Sequence, residues 1–284
     1  MKDRNFSIFK FLLNSPSINN TIIGKTITEM PKVLSSNIHY TMHQVDDNDS
    51  DFSFLANNTL KTIFLHSGTM EINLEINSKV DRVKLNADEG INIMPNINFS
   101  IATNNSYAVT VQSKKDENPI IEIVDEDGER SEKTIKDYKI VKNLKQVNKP
   151  WGHEIWISWF KNHHVLKKIY MIEGNKCSLQ YHEEKSETNL IVKGKANVLK
   201  DIRLKKGTSE QDALVNFNEI KDVDNYIVQM SPGDFWDNKP FEIHRVFSID
   251  SYTAYEASTY QLDDVIRLQD DNNRISGFIK AEHN

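Results

Sequence analysis

Short runs of apolar and β-branched residues, separated by glycine, asparagine, aspartate and proline, recur along most of the chain. Examples are TIFLH (62–66), MEINLEI (70–76), YAVTVQ (107–112) and NLIVKG (189–194), whereas the 3.6-residue period of an amphipathic helix is weak. Strands this short and evenly spaced suit a sandwich or small barrel, because a parallel sheet needs a helix between consecutive strands. The pattern predicts an all-β protein with helix confined to short pieces at the ends.

The order of strand signals is comparable in the two halves of the chain. The most polar connector is the segment 113–143, where dense charge flanks a single apolar run. A chain of 284 residues is long enough for two domains of ordinary size. We therefore predict two tandem β-barrels: residues 1–145 form a degenerate barrel with a charged linker, and residues 146–284 form a second barrel.

Charge and cysteine usage narrow the class of partner. The net charge of −6 argues against a nucleic-acid surface, which usually has a basic excess. The single cysteine, Cys177, excludes an intrachain disulfide framework and suits a reducing compartment. The apolar run Phe6 to Leu13 is interrupted by Lys10 and is too short to span a bilayer. These features predict a cytoplasmic protein that binds a small molecule, and neither nucleic acid nor membrane.

Four side chains of the second half form a candidate metal site. Gln180 and His182 are two residues apart, so on a strand both face the same side. Glu187 follows a polar turn and opens a returning strand, which brings its carboxylate back toward His182. His244 arrives from a later strand, behind a proline-marked bend. Imidazole, carboxylate and amide oxygen are all usable ligands for a divalent first-row metal.

The other histidines are weaker candidates. His39 and His43 are four residues apart and would share one face of a helix, but the surrounding loops are acidic and rich in asparagine. We interpret them, with His66, as ordinary polar residues and predict that the first barrel holds no metal. His163 and His164 lie outside the candidate site, so we predict that the metal does not depend on them.

Two segments carry a resemblance to a known superfamily. The segment GNKCSLQYHEEKSETNLIVKG (174–194) resembles the first cupin motif, with Gln180 in place of its first histidine, and the segment 233–244 resembles the second motif. This resemblance implies a cupin barrel, and two such barrels in tandem would make the protein a bicupin.

Among cupins, the second half is most similar to type II mannose-6-phosphate isomerases and related small sugar-metabolism cupins. The matching segments are NKPWGHEIW (148–156), KKIYMIEGNKCSLQYHEEKSE (167–187) and LDDVIRLQDDNNR (262–274), and the resemblance covers residues 147 to 275. It implies a metal-dependent aldose–ketose isomerase acting on a phosphorylated sugar. The expected cofactor is one divalent metal ion, zinc first, with iron, manganese, nickel or cobalt as alternatives.

The resemblance also suggests roles for basic residues. Lys185 stands where the family usually has an arginine near the substrate, so we assign it, with Arg267, to catalysis. Substrate binding is assigned to Lys167, Lys168 and Arg274, and by strand alternation only one of the two lysines faces the barrel interior. Ion pairing with neighbouring aspartates is the competing interpretation for both arginines.

Two other classes of function stay open. Cupin cages also support oxygen chemistry, so an Fe(II)-dependent oxygenase is one alternative. The other is a non-catalytic bicupin that binds a sugar or a sugar nucleotide. The expected partner in each case is a small carbohydrate ligand, and a homodimer stays open.

Overall fold

A computed structural model of the protein describes residues 32–35, 38–45, 51–54, 58–113, 118–124, 130–277 and 279. Within these ranges the chain forms 21 β-strands, one α-helix and one short 3-10 helix. The prediction of an all-β protein is therefore confirmed. None of the helices in the described part of the chain has the length and apolar character needed to cross a lipid bilayer. The apolar run at residues 6–13 lies outside the described residues.

The elements have the following bounds in chain order. The strands are β1 (Lys32–Ser35), β2 (Ile38–Val45), β3 (Asp51–Phe54), β4 (Leu60–Ile76), β5 (Lys79–Asn86), β6 (Glu89–Ile93), β7 (Asn98–Ser113), β8 (Ile120–Val124), β9 (Arg130–Thr134), β10 (Tyr138–Val141), β11 (Lys145–Lys149), β12 (Gly152–Lys161), β13 (His164–Met171), β14 (Leu179–Tyr181), β15 (Glu187–Lys193), β16 (Ala196–Arg203), β17 (Ile227–Met230), β18 (Phe235–Asn238), β19 (Glu242–Ser248), β20 (Tyr252–Thr259) and β21 (Ile266–Gln269). The α-helix α1 is Glu210–Asn218, and the 3-10 helix is Val223–Tyr226.

The described residues pack as two compact units, the first within 40–110 and 137–142 and the second within 32–39, 111–136 and 143–284. The segment that the sequence analysis assigns to a charged linker contains three strands. Of these, β8 pairs with β12 of the second unit, β9 pairs with β8, and β10 pairs with β6 of the first unit. The boundary at residues 145/146 stays a prediction.

The first unit is built around the long strand β4. This strand pairs with β5 along its C-terminal half and with β6 along its N-terminal half, both antiparallel. Met70, Ile72 and Leu74 alternate along β4 and are all buried, as expected when one face of a strand covers a core. They pack with Val83 and Leu85 of β5 in one apolar cluster.

Two antiparallel sheets form the second unit. One has the order β18-β15-β20-β13-β12-β8-β9 with β11 also on β12, and the other has the order β17-β16-β19-β14-β21. The central strands β13 and β20 are buried along most of their length, so residues on both faces of these strands lie inside the unit. Trp151, Trp236 and Tyr252 belong to the apolar core of this unit.

The helix α1 contradicts the prediction that helix is confined to the ends, because it lies between β16 and β17. Ser209 caps its N-terminus, where the side-chain oxygen accepts a hydrogen bond of 3.1 Å from the backbone N–H of Asp212. Only Ala213 of this helix is buried, so the apolar period that would mark a helix in the sequence is weak. In the sequence, the capping residue Ser209 marks this helix better than any apolar period does.

A buried polar cluster lies at Ser113, the last residue of β7. The hydroxyl oxygen of Ser113 is 2.8 Å from Nδ1 of His164 and 3.1 Å from Nδ1 of His163. All three side chains are buried. Burial, followed by the neighbouring His163, lowers the pKa of His164 to about 3. The imidazole of His164 therefore stays neutral in the folded protein at mildly acidic pH.

We expect His164→Gln to flatten the pH dependence of stability. The pKa of His164 is about 3 in the folded protein and 6.5 in its ordinary state, so the unfolded chain binds more protons between those values. The stabilisation that comes from the neutral imidazole is thus complete above pH 6.5 and is lost as the pH falls toward about 3. At about 1.36 kcal/mol per pKa unit, the full loss is roughly 4 to 5 kcal/mol. Urea unfolding of the wild type and of His164→Gln at about pH 7, 5.5 and 4 measures this loss. If the free energy of unfolding changed equally with pH in the two proteins, the lowered pKa of His164 would be contradicted.

Candidate metal centre

Neighbouring strands bring the four predicted ligands to one place. Gln180 on β14 lies directly opposite His244 on β19 in the antiparallel ladder. His182 follows the end of β14, and Glu187 is the first residue of β15. The turn between them lets the chain reverse, so that the carboxylate of Glu187 faces the imidazole of His182.

The distances between these side chains are short. The potential ligand atoms of His182, Glu187 and His244 all lie within 4.8 Å of one another, and the three residues are buried. Nε2 of His182 is 3.8 Å from Oε2 of Glu187, and Nε2 of His244 is 3.6 Å from Oε1 of the same carboxylate. Nε2 of Gln180 is 3.3 Å from Nε2 of His244. Rotation of the amide of Gln180 by half a turn would present its oxygen instead.

Backbone carbonyls orient both imidazoles. Nδ1 of His182 donates to the carbonyl of Asp264, and Nδ1 of His244 donates to the carbonyl of Glu242 at 2.9 Å. A histidine held through Nδ1 carries its proton there, which leaves Nε2 as the lone-pair atom. Both Nε2 atoms therefore face the cluster in the form that binds a metal.

The residues fit a divalent metal ion. Nε2 of His182 is buried and has no hydrogen-bond partner among the described residues, which is costly unless something else binds it. Burial, with a further contribution from the charge of Lys185, lowers the pKa of His182 to about 3, so the ring is neutral. Two imidazoles, one carboxylate and one amide are a donor set that first-row divalent ions accept.

Glu187 is held in its ionised form. Its Oε2 accepts from Nζ of Lys185 at 2.5 Å, and its Oε1 accepts from Nδ2 of Asn238 at 2.7 Å. Burial by itself would raise the pKa of Glu187, but the charge of Lys185 and the hydrogen bond from it outweigh burial and hold that pKa well below its ordinary value. The carboxylate is thus charged and fixed in orientation before any ligand binds.

Lys185 joins Glu187 to a second carboxylate. Its Nζ donates to Glu187 at 2.5 Å and to Oε1 of Glu256 at 2.8 Å, and all three side chains are buried. Burial alone would lower the pKa of Lys185, but the charges of Glu187 and Glu256 raise it above its ordinary value. An ammonium ion therefore sits beside the ligand cluster, at the position that the sequence analysis assigns to catalysis.

The cluster opens into a cavity with a volume of about 120 Å³. A single water needs roughly 10–15 Å³ by the same kind of measure, so the cavity accepts a ligand of several heavy atoms. Two of the predicted substrate-binding residues, Lys167 and Arg274, line it, and so does Arg267, which was predicted to take part in catalysis. Lys168 is half-buried and does not belong to the lining. Of the two lysines, Lys167 therefore faces the cavity.

Lys167 belongs to a small charged group on the cavity wall. Its Nζ is 3.0 Å from Oε2 of Glu154 and 4.7 Å from the ring centroid of Trp156. Nζ of Lys149 lies 3.8 Å from Oε1 of Glu154. Lys149 and Glu154 are not among the predicted site residues, although both lie in the NKPWGHEIW segment that carries the family resemblance.

The two arginines contact the C-terminal segment. Arg274 binds the carboxylate of Asp270 through Nε at 3.0 Å and Nη2 at 2.7 Å, which is the ion pair named as the competing interpretation. Nη1 of Arg267 donates to the carbonyl of Ile275 at 2.5 Å. Because both also line the cavity, structural pairing and ligand contact are compatible.

The cavity is suited to an anionic ligand. Of the described side chains that line it, five are cationic and four are carboxylates: Lys149, Lys167, Lys185, Arg267 and Arg274, against Glu154, Glu187, Glu256 and Asp263. The difference leaves one net positive charge, and a divalent metal ion would add two more. A low-dielectric cleft with that excess attracts phosphate or carboxylate groups.

Asp264 ties the C-terminal segment to the turn that carries the cluster. Its carboxylate accepts from the backbone N–H of Glu183 at 3.0 Å, of Glu184 at 2.7 Å and of Lys185 at 2.7 Å. Its carbonyl accepts from His182. Sequence reasoning treated this aspartate only as a neighbour of the arginines, because a contact across about eighty residues leaves no local signal.

The histidines of the first half are placed as follows. His39 and His43 lie on the strand β2 rather than on a helix, and their side chains lie outside the described residues. The ring of His66 packs edge-on against Tyr107, with centroids 5.5 Å apart. That this half holds no metal stays a prediction.

Residues 136–232 match a protein-family model described as mannose-6-phosphate isomerase, C-terminal. The matched range includes Gln180, His182 and Glu187 and ends before His244. No curated protein matches the sequence.

Solved structures are similar over most of the chain. Oxalate decarboxylase from Lactobacillus farciminis, as a formate complex, has 11% identity and a TM-score of 0.57 over 87% of this chain and 86% of that one. A mutant of oxalate decarboxylase from Bacillus subtilis has 8% identity and a TM-score of 0.58, over 85% and 75%. Streptomyces albus HEPD, bound to 2-hydroxyethylphosphonate and Fe(II), has 8% identity and a TM-score of 0.58, over 83% and 71%.

Identities this low are informative about fold alone. The fold, together with the family match, identifies the chain as a member of the cupin superfamily, with two cupin β-barrels in tandem.

Proposed function

We propose that the second barrel binds one divalent metal ion through Gln180, His182, Glu187 and His244 and catalyses an aldose–ketose isomerisation of a phosphorylated sugar. The observation that carries the proposal is a single cavity in which this ligand cluster adjoins a buried lysine and a wall of cationic side chains. The family match over residues 136–232 supports the same chemistry. We further propose a reducing, cytoplasmic setting, which suits a protein with one cysteine.

The reaction moves a proton between two adjacent carbons of the sugar and needs a stabilised negative charge on oxygen. A bound metal would supply Lewis acidity toward the carbonyl oxygen. The ammonium of Lys185, beside Glu187, can donate to a sugar oxygen on which charge develops. The burial of these groups strengthens such contacts, because competing water is excluded.

The phosphate would bind on the wall formed by Lys167, Arg267 and Arg274. Lysine interacts with phosphate as a point charge, and arginine can form two parallel hydrogen bonds to it. The carboxylates of Glu154 and Asp270 hold Lys167 and Arg274 in place through ion pairs of 3.0 and 2.7 Å. These pairs hold the cations in position, so less side-chain freedom is lost when an anion binds.

Lys167→Met should weaken the binding of sugar phosphates more than that of the unphosphorylated sugars. Charge-assisted contacts contribute about 1.5–3 kcal/mol, so we expect a loss of roughly tenfold or more in affinity for the phosphorylated ligand only. Lys168→Met is the matched control, because the neighbouring lysine lies outside the cavity lining. Isothermal titration of both variants with mannose 6-phosphate and mannose measures the difference. An equal loss for both ligands would rule out a phosphate contact at Lys167.

Elemental analysis of protein purified without chelator, followed by an anaerobic screen of sugar phosphates by NMR, tests the proposed function. We expect about one metal ion per chain and isomerisation of at least one sugar phosphate. Zinc is the metal that we expect first. Oxygen consumption with bound iron would favour an Fe(II)-dependent oxygenase, and ligand binding without turnover would favour a non-catalytic bicupin.

A further inference from the structure

Glu256 is a buried carboxylate that the sequence analysis did not assign to any role. It lies on β20, opposite Lys167 of β13 on one side and Asn189 of β15 on the other. Its side chain lines the same cavity as the ligand cluster. The position is central in the sheet, so the carboxylate is fixed by the barrel rather than by a loop.

The contacts of Glu256 set it apart from the ligand cluster. Its Oε1 accepts from Lys185 at 2.8 Å, and among the described residues Lys185 is its one hydrogen-bond partner. Glu187, by contrast, has both oxygens engaged, by Lys185 at 2.5 Å and by Asn238 at 2.7 Å. Of the two buried carboxylates beside Lys185, Glu256 is the one with an oxygen left to accept a proton.

We propose that Glu256 is the catalytic base that carries the proton between C1 and C2 of the sugar, an inference that rests on the proposed isomerisation. The carboxylate of Glu256 takes the proton from C2 of the aldose, so the C2–H bond breaks and an O–H bond forms. The electron pair of the C2–H bond becomes the C1=C2 double bond, and the carbonyl pair moves onto O1.

The return step restores every group. Lys185 gives a proton to O1 and takes the hydroxyl proton of O2, which leaves its charge unchanged. The carbonyl then forms at C2, and Glu256 returns its proton to C1. No oxidant or reductant is consumed, and the product is the ketose. Glu256 shares the hydrogen-bond donor Lys185 with Glu187, so its carboxylate lies beside the ligand cluster, in the lining of the cavity that would hold the sugar.

Glu256→Gln tests the proposal, because glutamine keeps the shape and an oxygen for Lys185 but cannot take the proton. We expect kcat to fall by about 10²–10⁴-fold, the range for general acid–base groups. Exchange of the C2 hydrogen with deuterium from solvent should fall in parallel. Metal content should equal that of the wild type, and the Kd for the sugar phosphate should change by less than about threefold.

Two further variants sharpen the test. Glu256→Asp keeps a carboxylate and should retain more exchange than Glu256→Gln. Glu132→Gln is the matched control, because Glu132 is an exposed carboxylate whose Oε1 is 2.5 Å from Nζ of Lys161, outside the cavity. It should leave kcat, exchange and metal content unchanged.

The outcomes separate the two proposals. A Glu256→Gln protein that retains more than a tenth of the exchange rate would overturn the role of Glu256 while leaving the isomerase proposal intact. Loss of metal together with activity in this variant would also overturn it, since Glu256 would then act by supporting the ligands. If the wild-type protein, loaded with metal, neither isomerises nor exchanges any sugar phosphate, the proposed function fails, and the assignment of Glu256 fails with it.

Discussion

Replacing His182 with alanine should remove most of the bound metal and abolish isomerisation. The imidazole offers a neutral, oriented Nε2 to the cluster, and alanine offers no ligand there. Loss of a group that merely supports a ligand typically lowers metal affinity by about 10–100-fold. Loss of the ligand itself should therefore lower affinity by more than about 100-fold. His244→Ala should behave in the same way, because its Nε2 is 3.6 Å from the carboxylate of Glu187.

Metal content after dialysis, determined by elemental analysis, measures this effect, and circular dichroism checks that each variant is folded. His164→Gln is the matched control, since His164 is equally buried in the same unit but contacts Ser113 instead of the cluster. It should retain the metal of the wild type. A folded His182→Ala protein with a full complement of metal would show that the cluster is only a buried polar group.

The sequence predicted the features that depend on local patterns. Alternation along a strand predicted that Gln180 and His182 lie on one side of the chain. In the structure, Gln180 belongs to β14, and His182 is the first residue after the end of that strand. The polar turn before Glu187 predicted a reversal, and β15 begins at that residue. The abundance of short β-rich runs predicted an all-β fold for the same reason, since strand periodicity is visible within five to eight residues.

Features that depend on distant contacts were not predictable. Alternation implied that one of Lys167 and Lys168 faces the barrel interior but could not choose between them, because the choice depends on how β13 registers with β20. Glu256 lies in the run TAYEAS, which reads as an ordinary strand with one charged residue. The hydrogen bond from Lys185 to Glu256 joins residues that are 71 positions apart in the sequence.

Asp264→Asn should weaken metal binding without removing any ligand. The carboxylate of Asp264 accepts three backbone N–H groups of the turn 183–185, and the carbonyl of the same residue accepts from Nδ1 of His182. This turn connects His182 to Glu187, so its geometry sets the distance between two ligands. Asparagine has one acceptor oxygen and no charge, so at least one N–H must lose its partner.

The expected size of the effect follows from these contacts. Hydrogen bonds to a charged group contribute about 1.5–3 kcal/mol each, and groups that orient ligands typically account for 10–100-fold in metal affinity. We expect a loss in that range for Asp264→Asn, measured by competition with a chelating dye. Asp263→Asn is the control, because the carboxylate of Asp263 pairs with Arg130 at 2.6 Å. Equal metal affinities for the two variants would mean that the turn holds its shape without Asp264, and the role assigned to that carboxylate would then be wrong.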